Sequence, residues 1–105
     1  MKSRLTTLQG RAVRIALHVE DYLQVHFELG ASLSIFNAVS LTGPVAEELE
    51  AINGKRLLGV EESDEKATLR FEDGSAIEVD LRDEAFNGPE AMTLHLPGEP
   101  IVVWN

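Results

Sequence analysis

The residues best suited to chemistry lie close together between Asp80 and Glu90. They comprise four carboxylates, one guanidinium and one amide: Asp80, Asp83, Glu84, Glu90, Arg82 and Asn87. Loops carried by a rigid sheet often bind a ligand or a partner, and two adjacent carboxylates can act as general acid and base. Because no spacing in the stretch selects a catalytic pair, we predict a ligand-binding or partner-binding loop and assign no catalytic residue. The alternative is a structural crossover, anchored by Phe86 and turned by Gly88 and Pro89.

Metal chemistry has weak support in the sequence. The three histidines, His18, His26 and His95, show no HxH or HExxH spacing, whereas zinc needs three or four converging ligands. The acidic run at residues 61–65 lacks the ligand order of a calcium loop. We therefore predict no metal and no cofactor. A metal-binding module that uses His18 and His26 is the weaker alternative.

Nucleophilic catalysis is not indicated either. The chain has no cysteine, no Gly-x-Ser-x-Gly elbow and no glycine-rich phosphate loop. This favours a protein that is not an enzyme, although the sequence leaves an enzymatic activity open.

The charge of the chain is strongly negative and unevenly distributed. The net charge is −9, and residues 55–105 hold 12 acidic residues against 5 basic ones. Such a surface repels phosphate backbones, so nucleic acid is not a predicted partner, whereas a basic protein is. The acidic excess also favours plain solubility. Because no apolar run approaches the roughly 20 residues of a membrane span and no signal peptide is visible, we predict a cytoplasmic protein that does not bind membranes.

The chain contains an internal repeat. Residues 10–37 align without a gap onto residues 54–81, at a constant offset of 44 residues, with glycines at 10 and 54 and again at 30 and 74. Repeated sequence predicts repeated structure. Apolar and polar residues alternate in both copies, as in half-buried strands. The repeat therefore predicts two three-stranded antiparallel meanders.

The predicted hairpins have definite registers. In the first, a three-residue loop at 20–22 places Val19 opposite Leu23 and Arg14 opposite Glu28. The same register places His18 and His26 on one polar face. The next hairpin of each copy ends in a three-residue loop whose last residue, Gly30 or Gly74, should adopt the left-handed conformation. The resulting strand partners are Val25 with Leu33, Leu69 with Ile77, and Lys66 with Asp80.

The rest of the chain completes the predicted fold. Residues 45–52 are typical of a short helix, and a four-residue turn should pair Leu96 with Ile101 and Leu94 with Val103. We expect eight strands and one short helix in a single domain that covers residues 1–105. The fold class is all-β: an antiparallel sandwich, roll or partly open barrel made of two pseudo-repeated meanders and a C-terminal hairpin.

Two segments carry a resemblance to known proteins. The hairpin at residues 69–77 and the tail at residues 87–91 and 101–104 resemble small uncharacterised bacterial β-rich proteins, some of which are similar to immunity proteins for bacterial toxins. The similarity covers roughly the last 40 residues. It implies neither an activity nor any functional residue.

The function predicted from all of this is protein binding. We expect a non-enzymatic cytoplasmic interaction module, with an immunity-type inhibitor of a basic toxin as its specific form. Open sheet edges also make a homodimer a candidate. The alternative is a small-ligand-binding or enzymatic β-barrel with the 80–90 loop at its rim.

Overall fold

The structure, a computed structural model, describes residues 3–85 and 90–105. This part of the chain forms nine strands and one short α-helix. The strands are β1 (Val13–Val19), β2 (Tyr22–Phe27), β3 (Ser32–Ile35), β4 (Val39–Thr42), β5 (Leu57–Glu62), β6 (Lys66–Phe71), β7 (Ala76–Asp80), β8 (Met92–His95) and β9 (Val102–Trp104). The helices are α1 (Pro44–Glu47) and the 3₁₀ helices Arg4–Leu8, Glu28–Gly30, Leu49–Ile52 and Asp83–Ala85.

The strands form two antiparallel sheets. The first sheet has the order β1-β2-β3-β8-β9, and the second has the order β4-β7-β6-β5. The predicted all-β antiparallel fold is confirmed, and the sheets do not close into a barrel.

One hydrophobic core lies between the two sheets. Alternate residues of the central strands point into it, such as Val25 and Leu33 from the first sheet and Leu69 and Ile77 from the second, and all four are fully buried. Each such side chain contributes roughly 1.5–3 kcal/mol to folding. Because one face of each sheet is committed to this core, the other face of each sheet is left for other contacts.

The two halves of the chain meet at an isolated bridge between Ala12 and Arg56, which are 44 residues apart. Matched pairs of backbone hydrogen bonds flank it: Gly10 N–H to Leu57 O (2.8 Å) with Gly54 N–H to Val13 O (2.7 Å), and Val13 N–H to Lys55 O (2.8 Å) with Leu57 N–H to Arg11 O (3.0 Å). An antiparallel bridge between equivalent positions has a local two-fold axis. The two hydrogen bonds of each matched pair are related by this axis, which exchanges the two halves of the chain.

The strand that follows each meander pairs with a strand from the other half of the chain. β4 pairs with β7, placing Val39 beside Val79, whereas β8 pairs with β3, placing Met92 beside Ile35. The connection from β3 to β4 is three residues long, at 36–38, but the connection from β7 to β8 covers residues 81–91. The stretch that contains the predicted site is therefore the longer of two corresponding connections.

Several predicted pairings are confirmed. Val25 pairs with Leu33, Leu69 with Ile77 and Lys66 with Asp80. Gly30 and Gly74 have φ values of +79° and +89°, in the left-handed region that their hairpin loops require.

The predicted register of the first hairpin is wrong by one residue. A two-residue turn, Glu20-Asp21, places Val19 opposite Tyr22, and a bulge between Val13 and Ile15 shifts the register by a second residue, so that Val13 pairs with Phe27. The second copy has its bulge at the corresponding place, between Leu57 and Gly59. A period-two pattern does not reveal a bulge, which adds one residue to one strand only.

This shift changes which side chains face the core. A slip of one residue exchanges the two faces of a strand, so Ala16 is buried whereas Ile15 is 46% exposed. His26 lies opposite Ile15, and His18 lies opposite Leu23, which faces the core. The predicted placement of the two histidines on one face is therefore wrong.

The helix and the last hairpin also differ from prediction. Residues 45–52 form α1 and a 3₁₀ turn, separated by Glu48 in an extended conformation (φ −150°). In the last hairpin, Leu94 pairs with Val102 rather than Val103, because Leu96 leaves the strand and is buried in the core. The ninth strand is β4, which the sequence analysis did not identify.

Candidate functional site

The structure brings Asp80 and Arg82 of the predicted site into direct contact. Arg82 donates from Nη2 to Asp80 Oδ2 at 2.6 Å and from Nε to Oδ1 at 3.0 Å, a two-pronged guanidinium–carboxylate pair. The backbone N–H of Arg82 donates to the same Oδ1 at 3.0 Å. Glu84 lies 3.8 Å from Arg82 Nε and extends this exposed charge cluster.

The Asp80–Arg82 pair is better suited to binding a charged partner than to transferring a proton. The hydrogen bonds from Arg82 lower the pKa of Asp80 from its ordinary 3.8 to about 2, and those to Asp80 raise the pKa of Arg82. A general acid or base works best with a pKa near the operating pH. Both groups remain ionised through the neutral range, so neither is a suitable proton donor or acceptor.

Backbone hydrogen bonds fix the position of this cluster on the fold. The N–H of Asp80 donates to Ala38 O at 3.1 Å, and the N–H of Leu81 donates to Glu65 O at 2.8 Å. The second bond ties the segment after β7 to the β5–β6 turn. The acidic residues of two separate sequence segments, 61–65 and 80–84, therefore lie on one end of the second sheet.

Asn37 binds the backbone of the charge cluster from the core side of the second sheet. Its side chain is 95% buried, since its exposed fraction is 5%, and its Nδ2 donates to the backbone oxygen of Asp80 at 2.6 Å. Its Oδ1 has no hydrogen-bond partner among the described residues. Asn37 thus holds the end of β7 from the core side.

We call this charged surface the acidic face. It comprises the outer side of the second sheet, the β5–β6 turn and the 80–84 segment. Its carboxylates are Glu61, Asp64, Glu65, Glu78, Asp80, Asp83 and Glu84, and its basic residues are Lys66, Arg70 and Arg82. Seven carboxylates against three basic groups give a net charge of −4 on this face.

The three basic groups of the acidic face are all engaged. Arg70 Nη2 lies 2.8 Å from Glu61 Oε1, Lys66 Nζ lies 3.5 Å from Glu78 Oε2, and Arg82 holds Asp80. Within the described part of the chain, Asp64, Glu65 and Asp83 form no ion pair. These three exposed carboxylates are the groups most available to an external cation.

A shallow depression of about 410 Å³ lies on the acidic face beside Arg82. Ser40, Ser63, Glu65, Lys66 and Glu78 contribute to its wall. It opens on the outer side of the second sheet, whereas the space between the sheets is filled by the core. Because its ion-paired lining groups partner each other, the depression itself does not favour a small ligand. The predicted barrel does not form, whereas the small-ligand or enzymatic function stays a prediction.

The remaining predicted residues are more scattered. Asp83 begins the exposed 3₁₀ turn Asp83–Ala85, and Glu90 is half-buried just before the buried Ala91. Asn87, together with Phe86, Gly88 and Pro89, lies outside the described residues. The structure thus joins Asp80, Arg82 and Glu84 and adds Glu65, which belongs to the acidic run at 61–65 and was not predicted as a site residue.

The first sheet has a very different outer surface, which we call the neutral face. Its centre is polar and uncharged: Gln24, His26, Ser32, Ser34, Thr93 and His95. Its two borders are apolar, with Ile15 and Leu17 on β1 and Val103 on β9, next to Ile101. None of these residues is Asp, Glu, Lys or Arg, but the exposed Arg14 lines a depression with Ile15 and His26 at the β1 border. The strand alternation could have revealed it, because the polar positions of β2, β3 and β8 all lack charge.

The contrast between the faces is clear at one end of the repeat. Tyr22 and Phe36 form an aromatic pair at the end of the neutral face, with ring centroids 4.9 Å apart. The residues 44 positions later are Lys66 and Asp80, on the acidic face. Along β2, Gln24 Nε2 donates to Tyr22 Oη at 3.3 Å, and His26 Nε2 lies 3.1 Å from Gln24 Oε1.

Neither metal ligation nor membrane spanning is indicated in the described residues. No three His, Asp or Glu side chains converge there as a metal site requires. No helix among them is long and apolar enough to cross a membrane.

Comparisons with protein-family models, curated proteins and solved structures find no match for this chain. Any functional conclusion therefore depends on the two contrasting faces.

Proposed function

We propose that this protein is a non-enzymatic interaction module that binds a basic protein through its acidic face. The observation that carries the proposal is the bond between Leu81 N–H and Glu65 O, which joins two acidic segments on one end of a rigid sheet. Asp64, Glu65 and Asp83 lie there and form no ion pair within the described chain, although Glu65 is close enough to Arg82 to help raise the pKa of Arg82.

The electrostatics favour a protein partner over a small ion. The unpaired carboxylates are spread over a turn and a neighbouring segment, so a surface with several Lys or Arg side chains fits them better than one point charge. Their field extends about 10 Å at an ionic strength of 0.1 M. Such a field raises association rates by steering a basic partner toward the face.

The specific form of this proposal is an immunity-type inhibitor in the cytoplasm. A rigid acidic surface that covers the basic face of a toxin would block it without any chemistry of its own. The charge distribution and the Asp80–Arg82 pair, which is unsuited to proton transfer, support this form.

Two variants with equal charge test the proposal. The acidic-face variant combines Asp64→Asn, Glu65→Gln and Asp83→Asn. Its matched control combines Glu20→Gln, Asp21→Asn and Glu47→Gln, which are exposed and lie away from the acidic face. Both variants change the net charge from −9 to −6. We expect affinity capture from native cells at physiological salt to retain a basic protein with the wild type and the control, but not with the acidic-face variant.

Purified components then decide whether the captured protein is a partner. The partner should bind the wild type and the control with similar Kd values and bind the acidic-face variant between about threefold and about 150-fold more weakly, since each of the three lost charge contacts costs about 0.2–1 kcal/mol. Equal binding by all three proteins, or no partner at physiological salt, would count against the proposal.

A further inference from the structure

We propose that two copies of this chain associate face to face through the neutral face. This surface is separate from the acidic face, because the two sheets cover opposite sides of one core. The proposal is therefore independent of the proposed function.

Charge identifies the neutral face as the place where two copies can meet. Each copy has a net charge of −9, so contact through a charged surface brings like charges together. The acidic face alone has a net charge of −4. The centre of the neutral face, on β2, β3 and β8, has no Asp, Glu, Lys or Arg, as is typical of the centre of a protein interface, and Arg14 lies at its β1 border.

Three of the five exposed large apolar side chains among the described residues lie at the borders of this face, and the other two, Leu29 and Leu58, lie in the β2–β3 loop and on β5. Ile15 is 46% exposed, Val103 is 40% exposed and the neighbouring Ile101 is 57% exposed. At the position that corresponds to Ile15, the acidic face has Gly59, and at the position of Leu17 it has Glu61. The two sheets share their strand pairings, so this difference does not follow from the fold.

The pattern of the neutral face is self-complementary. Across the sheet it reads apolar at β1, polar at β2, β3 and β8, and apolar again at β9. A two-fold axis along β3 would place the β1 border on the partner's β9 border, with the two polar centres together. A symmetric dimer requires a surface that matches itself in this way.

The polar centre suits a second copy for another reason. Hydroxyl, amide and imidazole groups both donate and accept hydrogen bonds, so Ser34 or Gln24 can bond to the same residue types of a second copy. Carboxylates or ammonium groups in these positions could not do so, because each charged form only accepts or only donates.

The size of the face indicates a weak dimer. Five strands about 4.8 Å apart, with rows about 17 Å long, give each copy a face on the order of 400 Å². A dimer then buries on the order of 800 Å² in total, below the range of stable interfaces. We expect a Kd between about 1 μM and about 1 mM.

Sedimentation velocity over that concentration range tests the association. The wild type should change reversibly from the monomer mass of 11.5 kDa toward twice that mass. Ser34 lies on the middle strand, opposite Gln24 and Thr93, so Ser34→Glu should place two carboxylates near the axis and leave the protein monomeric. The matched control, Thr42→Glu, adds the same charge on the exposed edge strand β4 of the other sheet and should still dimerise.

A second variant, Ser34→Lys, shows whether Ser34→Glu is monomeric because of its charge or because it folds incorrectly. A Ser34→Lys variant alone should also be monomeric, but an equimolar mixture of Ser34→Lys and Ser34→Glu should associate.

The salt dependence of binding distinguishes the neutral face from the acidic face. High salt should leave the wild-type dimer intact while it weakens binding of a basic protein. The proposal is overturned by a wild type that stays monomeric at 1 mM, or by a dimer that survives Ser34→Glu and is lost with Thr42→Glu.

Discussion

At the residue scale, hydrogen bonds from Arg82 keep the exposed carboxyl group of Asp80 ionised. Because the pKa of Asp80 is lowered to about 2, the folded state binds its proton less readily than the unfolded state does. The contribution of Asp80 to stability is therefore complete above its ordinary pKa of 3.8 and is lost as the pH falls from about 4 toward 2.

Asp80→Asn should lower the free energy of unfolding at pH 7, and the difference from the wild type should shrink toward pH 2. Urea denaturation at pH 7, 4 and 2 measures this difference. Glu84→Gln is the control, since Glu84 lies 3.8 Å from Arg82 and makes no comparable bond. A difference that does not change with pH would contradict the role given to the Asp80 carboxylate.

A substitution at Asn37 tests whether its hydrogen bond to the backbone of Asp80 stabilises the fold. In Asn37→Asp, a buried carboxylate would face the backbone oxygen of Asp80 and lose the 2.6 Å hydrogen bond. We expect a loss of about 2–4 kcal/mol in the free energy of unfolding at pH 7. Because burial raises the pKa of such a carboxyl group, the loss should diminish as the pH falls.

The matched control for this change is Asn53→Asp. The Oδ1 of Asn53 accepts a hydrogen bond from Ala16 N–H at 2.9 Å, and a carboxylate can accept it equally well. Stability close to that of the wild type is expected for Asn53→Asp. Equal losses in both variants would mean that the environment of Asn37 has been misassigned.

At the scale of secondary-structure elements, the turn between β4 and α1 depends on Gly43. Its φ is +79°, and an added Cβ would lie 2.6 Å from the backbone oxygen of Gly74. Gly54 has a similar φ of +82° but open space around it. Both glycines have a positive φ, but Gly43 has a ψ of −160°, in a region that is essentially restricted to glycine, and it alone of the two has a close steric contact.

Alanine at each glycine separates these effects. Gly54→Ala should cost about 1–2 kcal/mol of folding free energy, the strain of a left-handed residue with a Cβ. Gly43→Ala should cost about 2 kcal/mol more, because the backbone of the β6–β7 turn must move. Thermal or urea denaturation compares them, and equal losses would show that the contact with Gly74 is easily relieved.

The elements that sequence predicts well are those with strong local signals. The loops that end at Gly30 and Gly74 carry their turn chemistry in the sequence, and their strand registers follow from it. The bulge at residues 13–15 carries no such signal, because the alternation of Val13, Arg14 and Ile15 continues through it. β4 is only four residues long, and its pairing with β7 is between residues distant in sequence.

The candidate site was predictable only in part for the same reason. Charge density indicates the stretch from Asp80 to Glu84, and the contact of Asp80 with Arg82 is local. The bond from Leu81 to Glu65 joins segments 16 residues apart and depends on the completed sheet. The uncharged polar positions of β2, β3 and β8 follow from the alternation, but their assembly into one face depends on four hairpin or crossover pairings.

At the scale of the whole molecule, the two halves share an architecture and differ in their outer surfaces. Corresponding strand pairs and bulges recur 44 residues apart, so the core accounts for them. The outer side chains are not constrained by the core, and there the halves diverge into a charged and an uncharged face. This divergence supports two separate binding roles, one for a basic partner and one for a second copy.

The most direct test of the proposed function is the association rate with a basic partner, measured by stopped flow at increasing ionic strength. The wild type and the Glu20/Asp21/Glu47 control should associate fast at low salt and slow markedly as salt rises. The Asp64/Glu65/Asp83 variant should be at least about tenfold slower at low salt and approach the others near 1 M, where the screening length is about 3 Å. If both variants show the same rate at every salt concentration, the acidic face does not guide binding.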